Sequence, residues 1–190
     1  MKKDFVNIND INIASFGSCE GCSKCCDGSQ FLFAPLFLSD IKDTYRYFPI
    51  AYIKLGPLMR LVFLLASHRG CIYLDSSGNC QIYQSRPHAC RIYPFSPYQS
   101  SVFLDTSCPA VGMQGYPIAA DGKMAKEFWH PRLQDSNVKF WDTQRFIDRK
   151  KGFFKIGKFE GFNLYHASGQ STYDAMIRTS AKHFKNYPIF

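Results

Sequence analysis

The sequence predicts a small α+β fold, loop-rich around its cysteines, with a helical C-terminal extension. Three observations carry this prediction. Eight cysteines lie within the first 108 of 190 residues, and four of them fall in the eight residues from Cys19 to Cys26. Short apolar runs broken by turn residues alternate with the remaining cysteines, Cys71, Cys80, Cys90 and Cys108. Beyond residue 115 there is no cysteine, and the chain reads as amphipathic helical pieces. Residues 1–115 are therefore expected to form a cysteine-cluster, metal-binding domain and residues 116–190 an extension packed on it.

Composition supports a folded chain. With 46% hydrophobic and 16% aromatic residues it has the means to bury a core, and disorder is not expected. The most apolar run, Leu55 to Ala66, is interrupted by Gly56, Pro57 and Arg60 and is shorter than the roughly 20 residues a membrane helix needs. The net charge of +8 suits a solvated basic surface and also offsets the negative charge that bound thiolates bring. An even cysteine count permits a disulfide framework, but such frameworks belong to short secreted chains. Here Lys2-Lys3 is followed by Asn7, Asn9, Asp10 and Asn12 instead of an apolar export segment, so a cytoplasmic protein with reduced thiols is expected.

The chemistry is concentrated in Cys19-x-x-Cys22-x-x-Cys25-Cys26. Two intervening residues let the backbone curl so that both sulfurs of a C-x-x-C pair reach one cation at about 2.3 Å. Gly21 and Gly28 supply the positive φ angles that such turns use. Neighbouring side chains diverge, so Cys25 and Cys26 are expected to face different metals, different irons of one cluster, or a metal and something else. The eight thiols allow two four-sulfur sites or one cluster with spare thiols. Cys108-Pro109 has the cysteine–proline order found in iron–sulfur binding runs. His68, three residues before Cys71, and His88, two before Cys90, are subsidiary ligand candidates. Arg86 and Arg91 flank Cys90 and are expected to give charge-assisted hydrogen bonds around a thiolate centre.

The remaining elements follow from periodicity. Ile11 to Phe16 alternates like a brief strand leading into the knuckle. Phe31 to Leu38 reads as buried and extended. Ser39 is placed to cap a helix carrying Ile41, Tyr45 and Phe48 on one face, ended by Pro49. Leu58 to Ala66 is apolar throughout, and its periodicity leaves helix and strand open. Ile72–Leu74 and Gln81–Tyr83, on either side of the turn-rich 75–79 segment, predict a hairpin joining Cys71 to Cys80. Lys126–Trp129 and Val138–Phe146 read as amphipathic helix, with Trp141 and Phe146 buried. Arg145, Arg149, Lys150, Lys151, Lys155 and Lys158, interleaved with Phe153, Phe154 and Phe159, read as a solvated basic face over packed aromatics. Nothing there adds the geometry needed to read bases, so nucleic acid is not the expected partner. Ser171 or Thr172 caps a last helix that puts Tyr173, Met176, Ile177, Ala181 and Phe184 on one face.

Taken together, Cys19-x-x-Cys22-x-x-Cys25-Cys26, Leu38-Ser39-Asp40-Ile41, Cys71-x-Tyr73-Leu74, Cys80-Gln81-Ile82-Tyr83, Arg86-Pro87-His88-Ala89-Cys90-Arg91-Ile92-Tyr93-Pro94-Phe95 and Cys108-Pro109 resemble the CxxCxxCC family in order and spacing. These are YkgJ-type cysteine-cluster proteins, described as zinc- or iron-chelating and related to flagellin lysine N-methylase. The resemblance spans residues 19 to 115. It implies metal ligation by the cysteines, while the methylase relatives imply an iron–sulfur cluster and methyl transfer to lysine. Ser23-Lys24 departs from a glycine pattern common before the cysteine pair, and Pro109-Ala110 from a common Pro-Gly.

The function expected is binding of an iron–sulfur cluster, with zinc as the second choice, by Cys19, Cys22, Cys25, Cys26, Cys71, Cys80, Cys90 and Cys108. No acid–base pair, nucleophile or glycine-rich nucleotide loop is visible in the sequence. A protein-modifying enzyme of the methylase type and a zinc-stapled interaction module that docks a protein partner are the alternatives.

Overall fold

The apolar run that left helix and strand open folds as the centre of a sheet. In the computed structural model, which describes residues 5–17, 22–98, 101–112, 115–124 and 136–190, β4 (Ile50–Leu55) and β5 (Leu58–Leu64) form an antiparallel hairpin. Gly56, at φ +60°, opens its two-residue turn with Pro57, the position where hairpin turns favour glycine. Alternate side chains go to opposite faces. Ile50, Tyr52, Leu61 and Phe63 enter one core, and Ala51, Ile53, Val62 and Leu64 enter another. Burial on both faces explains why this run shows no polar alternation.

Five antiparallel strands make this sheet, in the order β10-β11-β4-β5-β3. β3 is Phe33–Pro35, β10 is Phe153–Phe159 and β11 is Phe162–Ala167. The basic and aromatic stretch after residue 150 is thus a hairpin on the edge of the sheet beside β4, where helix was expected to dominate. Its aromatics behave unequally: Phe159 is fully buried, while Phe154 is exposed.

Two smaller three-stranded sheets share a separate core. One has the order β1-β7-β6, from Phe5–Asn7, Ser101–Asp105 and Phe95–Tyr98. The other has the order β2-β8-β9, from Ile13–Phe16, Tyr116–Ala120 and Lys123–Met124. Ile8, Ile11, Ile92, Phe95, Leu104 and Ile118 fill the space between them. The short helix α2 (His88–Ile92) joins the two cores, since Cys90 packs against the large-sheet core and Ile92 enters the small one.

Three further α-helices, with short 3-10 segments at Ile8–Asp10, Leu38–Asp40, Tyr83–Ser85 and Ala181–Asn186, complete the elements of the described residues. A 3-10 turn, Leu38–Asp40, precedes α1 (Ile41–Thr44), so the helix is shorter than its apolar spacing suggests. Ser39 does not cap it, and its hydroxyl donates to Asp40 instead. α3 (Ser136–Asp148) contains the predicted 138–146 helix. Trp141, expected to be buried, is exposed and packs edge-on against Phe140. The Thr143 hydroxyl of α3 accepts from the Leu38 N–H at 3.1 Å, and Gln144 accepts from Arg60 at 2.9 Å.

α4 (Thr172–Ser180) has Ser171 as its N-cap in a full capping box with Asp174. Ile177 enters the same core as Cys71, and the Ser180 hydroxyl accepts from the Ile50 N–H at 2.9 Å. Tyr173, predicted on the buried face, is exposed. Lys150 also departs from a solvated role. Its side chain is 6% exposed, pairs with the 4% exposed Asp174 at 2.5 Å and lies over the Phe146 ring. The predicted Lys126–Trp129 helix lies outside the described residues. No helix among the described residues is long and apolar enough to cross a membrane.

Candidate metal centre

The knuckle is organised by one carbonyl. Ser23 O accepts from the Cys26 N–H at 2.7 Å and from the Asp27 N–H at 2.8 Å, which curls the chain and presents Cys22, Cys25 and Cys26. Asp27 then accepts from the Ser29 N–H and pairs with Lys24. Gly28, at φ +81°, brings the backbone against Ser67 and Gly70. This close approach lets Cys26 O accept from the Cys71 N–H at 2.6 Å. The first and second cysteine segments are therefore joined through backbone. Cys19 and Gly21 lie outside the described residues.

Cys71 and Cys80 stand on a turn, not on two regular strands. Asp75 holds it, with its carboxylate accepting from the Ser77 and Asn79 N–H groups. A single bridge, Leu74 with Cys80, and the bond from Gln81 N–H to Tyr73 O at 2.8 Å bring the two cysteines together as the hairpin prediction required. Cys90 lies on α2, whose first carbonyl, Pro87 O, accepts from Cys90 and Arg91. Cys108 follows β7, and its N–H is bonded to the carbonyl of buried Asp105.

All seven described cysteines, from these four segments, line one cavity of about 1050 Å³. Phe31, Tyr93 and Phe95 contribute to its apolar wall, and Arg86, His88 and Arg91 line it too. The two histidine candidates separate clearly. His68 is exposed and faces Glu160 at 3.7 Å, whereas His88 is buried on the cavity. Tyr93 and Asp105 belong to the site although the ligand spacing does not point to them. The Tyr93 hydroxyl lies within hydrogen-bond reach of both Gln30 Oε1, at 3.3 Å, and Asp105 Oδ2, at 3.4 Å, and its one proton serves either acceptor.

The electrostatics are uneven. The Cys25 thiol, with its sulfur 3.6 Å from that of Cys26, and then the Arg86 charge outweigh burial and lower Cys26 to about 7. Burial pushes Cys71 up to about 12 and raises Cys80 and Cys90, and neighbouring thiolates add to this. A bound cation supplies the opposite charge that makes thiolates favourable in such surroundings. Arg86 is stacked over the Tyr83 ring and donates through Nε to Tyr83 O, which holds its charge at the cavity edge. Arg91 Nε is buried and has no hydrogen-bond partner among the described residues. An N–H of this kind, beside a set of thiols, suits an anionic thiolate or sulfide acceptor.

The donor set therefore fits zinc or iron by its chemistry. The thiols are arranged around the cavity and not drawn to one point: among the described residues no group of three His, Cys, Asp or Glu side chains is placed to hold a single ion. No solved structure matches the chain. Residues 18–109 match the family model described as CxxCxxCC, a putative zinc- or iron-chelating domain. All eight cysteines fall inside that span, and with them the cavity's whole complement of thiols, so the chain carries a CxxCxxCC domain.

Proposed function

We propose that the chain is a metal-binding protein that holds an iron–sulfur cluster in the cysteine-lined cavity. The observation that carries this reading is the convergence of seven cysteines from four separate segments on one cavity. A single zinc ion requires four donors at about 2.3 Å from one point. A cluster presents several irons, each taking its own thiolate, and so suits thiols spread around a wider space. The guanidinium groups of Arg86 and Arg91 offset the negative charge of such a centre. Free thiols in this number fit a reducing compartment, which the cytoplasm provides.

The test is purification without oxygen followed by assay of iron, zinc and acid-labile sulfide beside the visible spectrum. Iron and sulfide in comparable amounts, with broad visible absorbance, are expected. Zinc without sulfide, or protein without bound metal, overturns the reading.

A further inference from the structure

We propose that the β10–β11 hairpin, with the 3-10 segment Ala181–Asn186 beside it, binds single-stranded nucleic acid by stacking bases on an aromatic row and holding phosphates with the cations along it. The inference goes beyond the metal-binding reading and does not rest on it.

The charge of this region is uncompensated. Residues 149–190 contain eight lysines and arginines against two acids, Glu160 and Asp174. Asp174 is taken up by buried Lys150, and Glu160 faces His68. Of the eight cations all but Lys150 are exposed, and none of these pairs with a carboxylate among the described residues. A surface of this kind attracts a polyanion.

The fold adds what composition lacks, a platform. Phe154 and His166 stand opposite each other in the hairpin register, with ring centroids 6.0 Å apart, and the Phe184 ring lies 6.1 Å from His166. His166 shares a sheet face with Leu164, two residues earlier, and Phe184 packs against the core that Leu164 enters. Phe154 stands at 83° to His166 and is 54% exposed, which leaves ring surface open to a base. Three cations border the row. Arg178 acts on His166, and burial followed by that charge holds the ring below its ordinary value, so it is neutral at pH 7. Lys182 and Lys185 lie in the same 3-10 segment as Phe184.

An open ring with cations beside it matches the alternation of base and phosphate in a single strand. An acidic peptide or an anionic lipid surface would use the charge and leave the Phe154 ring without a stacking partner. The three rings carry no amide or carboxylate to read a base edge, so binding should tolerate any sequence.

The test is fluorescence anisotropy of a dye-labelled oligothymidine with the full chain as purified, metal retained. Saturable binding is expected, with a log–log salt slope of about −2 from three phosphate contacts at roughly −0.7 each. Phe154→Ala should weaken it about five-fold or more, and Phe154→Trp should preserve it. Lys182→Gln combined with Lys185→Gln should weaken binding and flatten the slope by about 1.4. Lys155→Gln combined with Lys158→Gln removes the same charge from positions in register with Tyr165 and Asn163, on the opposite face of the hairpin, and should cost much less. Unfolding curves and metal content confirm that each variant is folded. No binding at low salt, tighter binding to the duplex than to the single strand, or equal loss from the two lysine pairs overturns the proposal. Binding that Phe154→Ala leaves unchanged, with phosphatidylserine vesicles held equally well, overturns it in favour of a lipid surface.

Discussion

Replacing Gly28 with alanine tests whether the knuckle and the Cys71 turn are one unit. The Cβ added there would overlap the Ser67 carbonyl oxygen and stand 3.3 Å from the Gly70 nitrogen. The obstacle is backbone, so it cannot rotate aside. The φ of +81° alone costs an L-residue about 1–2 kcal/mol. Relief of the overlap separates Gly28 from Ser67, and two backbone bonds are at stake: Gly70 N–H to Ser67 O at 2.8 Å and Cys71 N–H to Cys26 O at 2.6 Å. At roughly 1 kcal/mol each, net, their loss brings the total to about 3–4 kcal/mol. Gly56→Ala is the control, because Gly56 also has positive φ, at +60°, but nothing within 4 Å of the added Cβ. It should cost about 1–2 kcal/mol and leave the metal untouched. Urea unfolding and metal content of both variants make the comparison. Gly28→Ala should lose about 2 kcal/mol more than Gly56→Ala and purify with less metal. Equal stability losses together with full metal in Gly28→Ala would refute the coupling.

Two further outcomes are expected. Asp174→Ala leaves Lys150 buried without its partner and removes half of the α4 capping box, so urea unfolding at neutral pH should show a loss of about 3–5 kcal/mol. Burial opposes the Asp174 charge, but the bonds from Lys150 and Ser171 prevail and hold its carboxyl below the ordinary value. The pair's contribution is thus complete above about pH 4 and lost as pH falls through the lowered value, so the variant's stability should vary less than wild type below about pH 4. In metal-stripped protein, iodoacetamide should label Cys26 with a midpoint near pH 7, because the Cys25 hydrogen bond and then Arg86 lower its thiol to about 7. Cys71, raised to about 12 by burial, should resist labelling at pH 8. Arg86→Gln should move the Cys26 midpoint upward, and an unchanged midpoint would show that the guanidinium does not act on it.

Local chemistry was legible in the sequence where the deciding interaction is itself local. Ser171 caps α4 through Asp174, three residues on, and Gly28 has the positive φ expected of it. The turn between Cys71 and Cys80 is closed by Asp75 within four residues. Cys22, Cys25, Cys26, Cys71, Cys80, Cys90 and Cys108 share a cavity, and their spacing had already singled them out. What spacing does not contain is the set of long-range neighbours that completes the site. Tyr93 reaches Asp105 only because β6 and β7 bring them together, and His88 differs from His68 only through burial at the seam of two cores.

The stretch from Lys150 to Phe159 marks the same boundary more sharply. Its composition describes a basic and aromatic surface, and Lys151, Lys155 and Lys158 are indeed exposed. Lys150, identical to them in type and adjacent in sequence, is a buried cation because Asp174 lies 24 residues away on a helix that packs against the same sheet. No periodicity encodes that partner. The hairpin of β10 and β11 likewise depends on pairing with β4, which lies about a hundred residues earlier. Of its residues only Phe159 and Leu164 are fully buried, too few to announce a strand against the lysines between them. α4 and this hairpin lie on the sheet whose other edge strand, β3, follows the knuckle and whose β5 runs into Ser67, the residue that Gly28 meets. Residues beyond 150 therefore support the cysteine cavity through the sheet while contributing none of its thiols, and the cavity depends on chain that its own motif does not include.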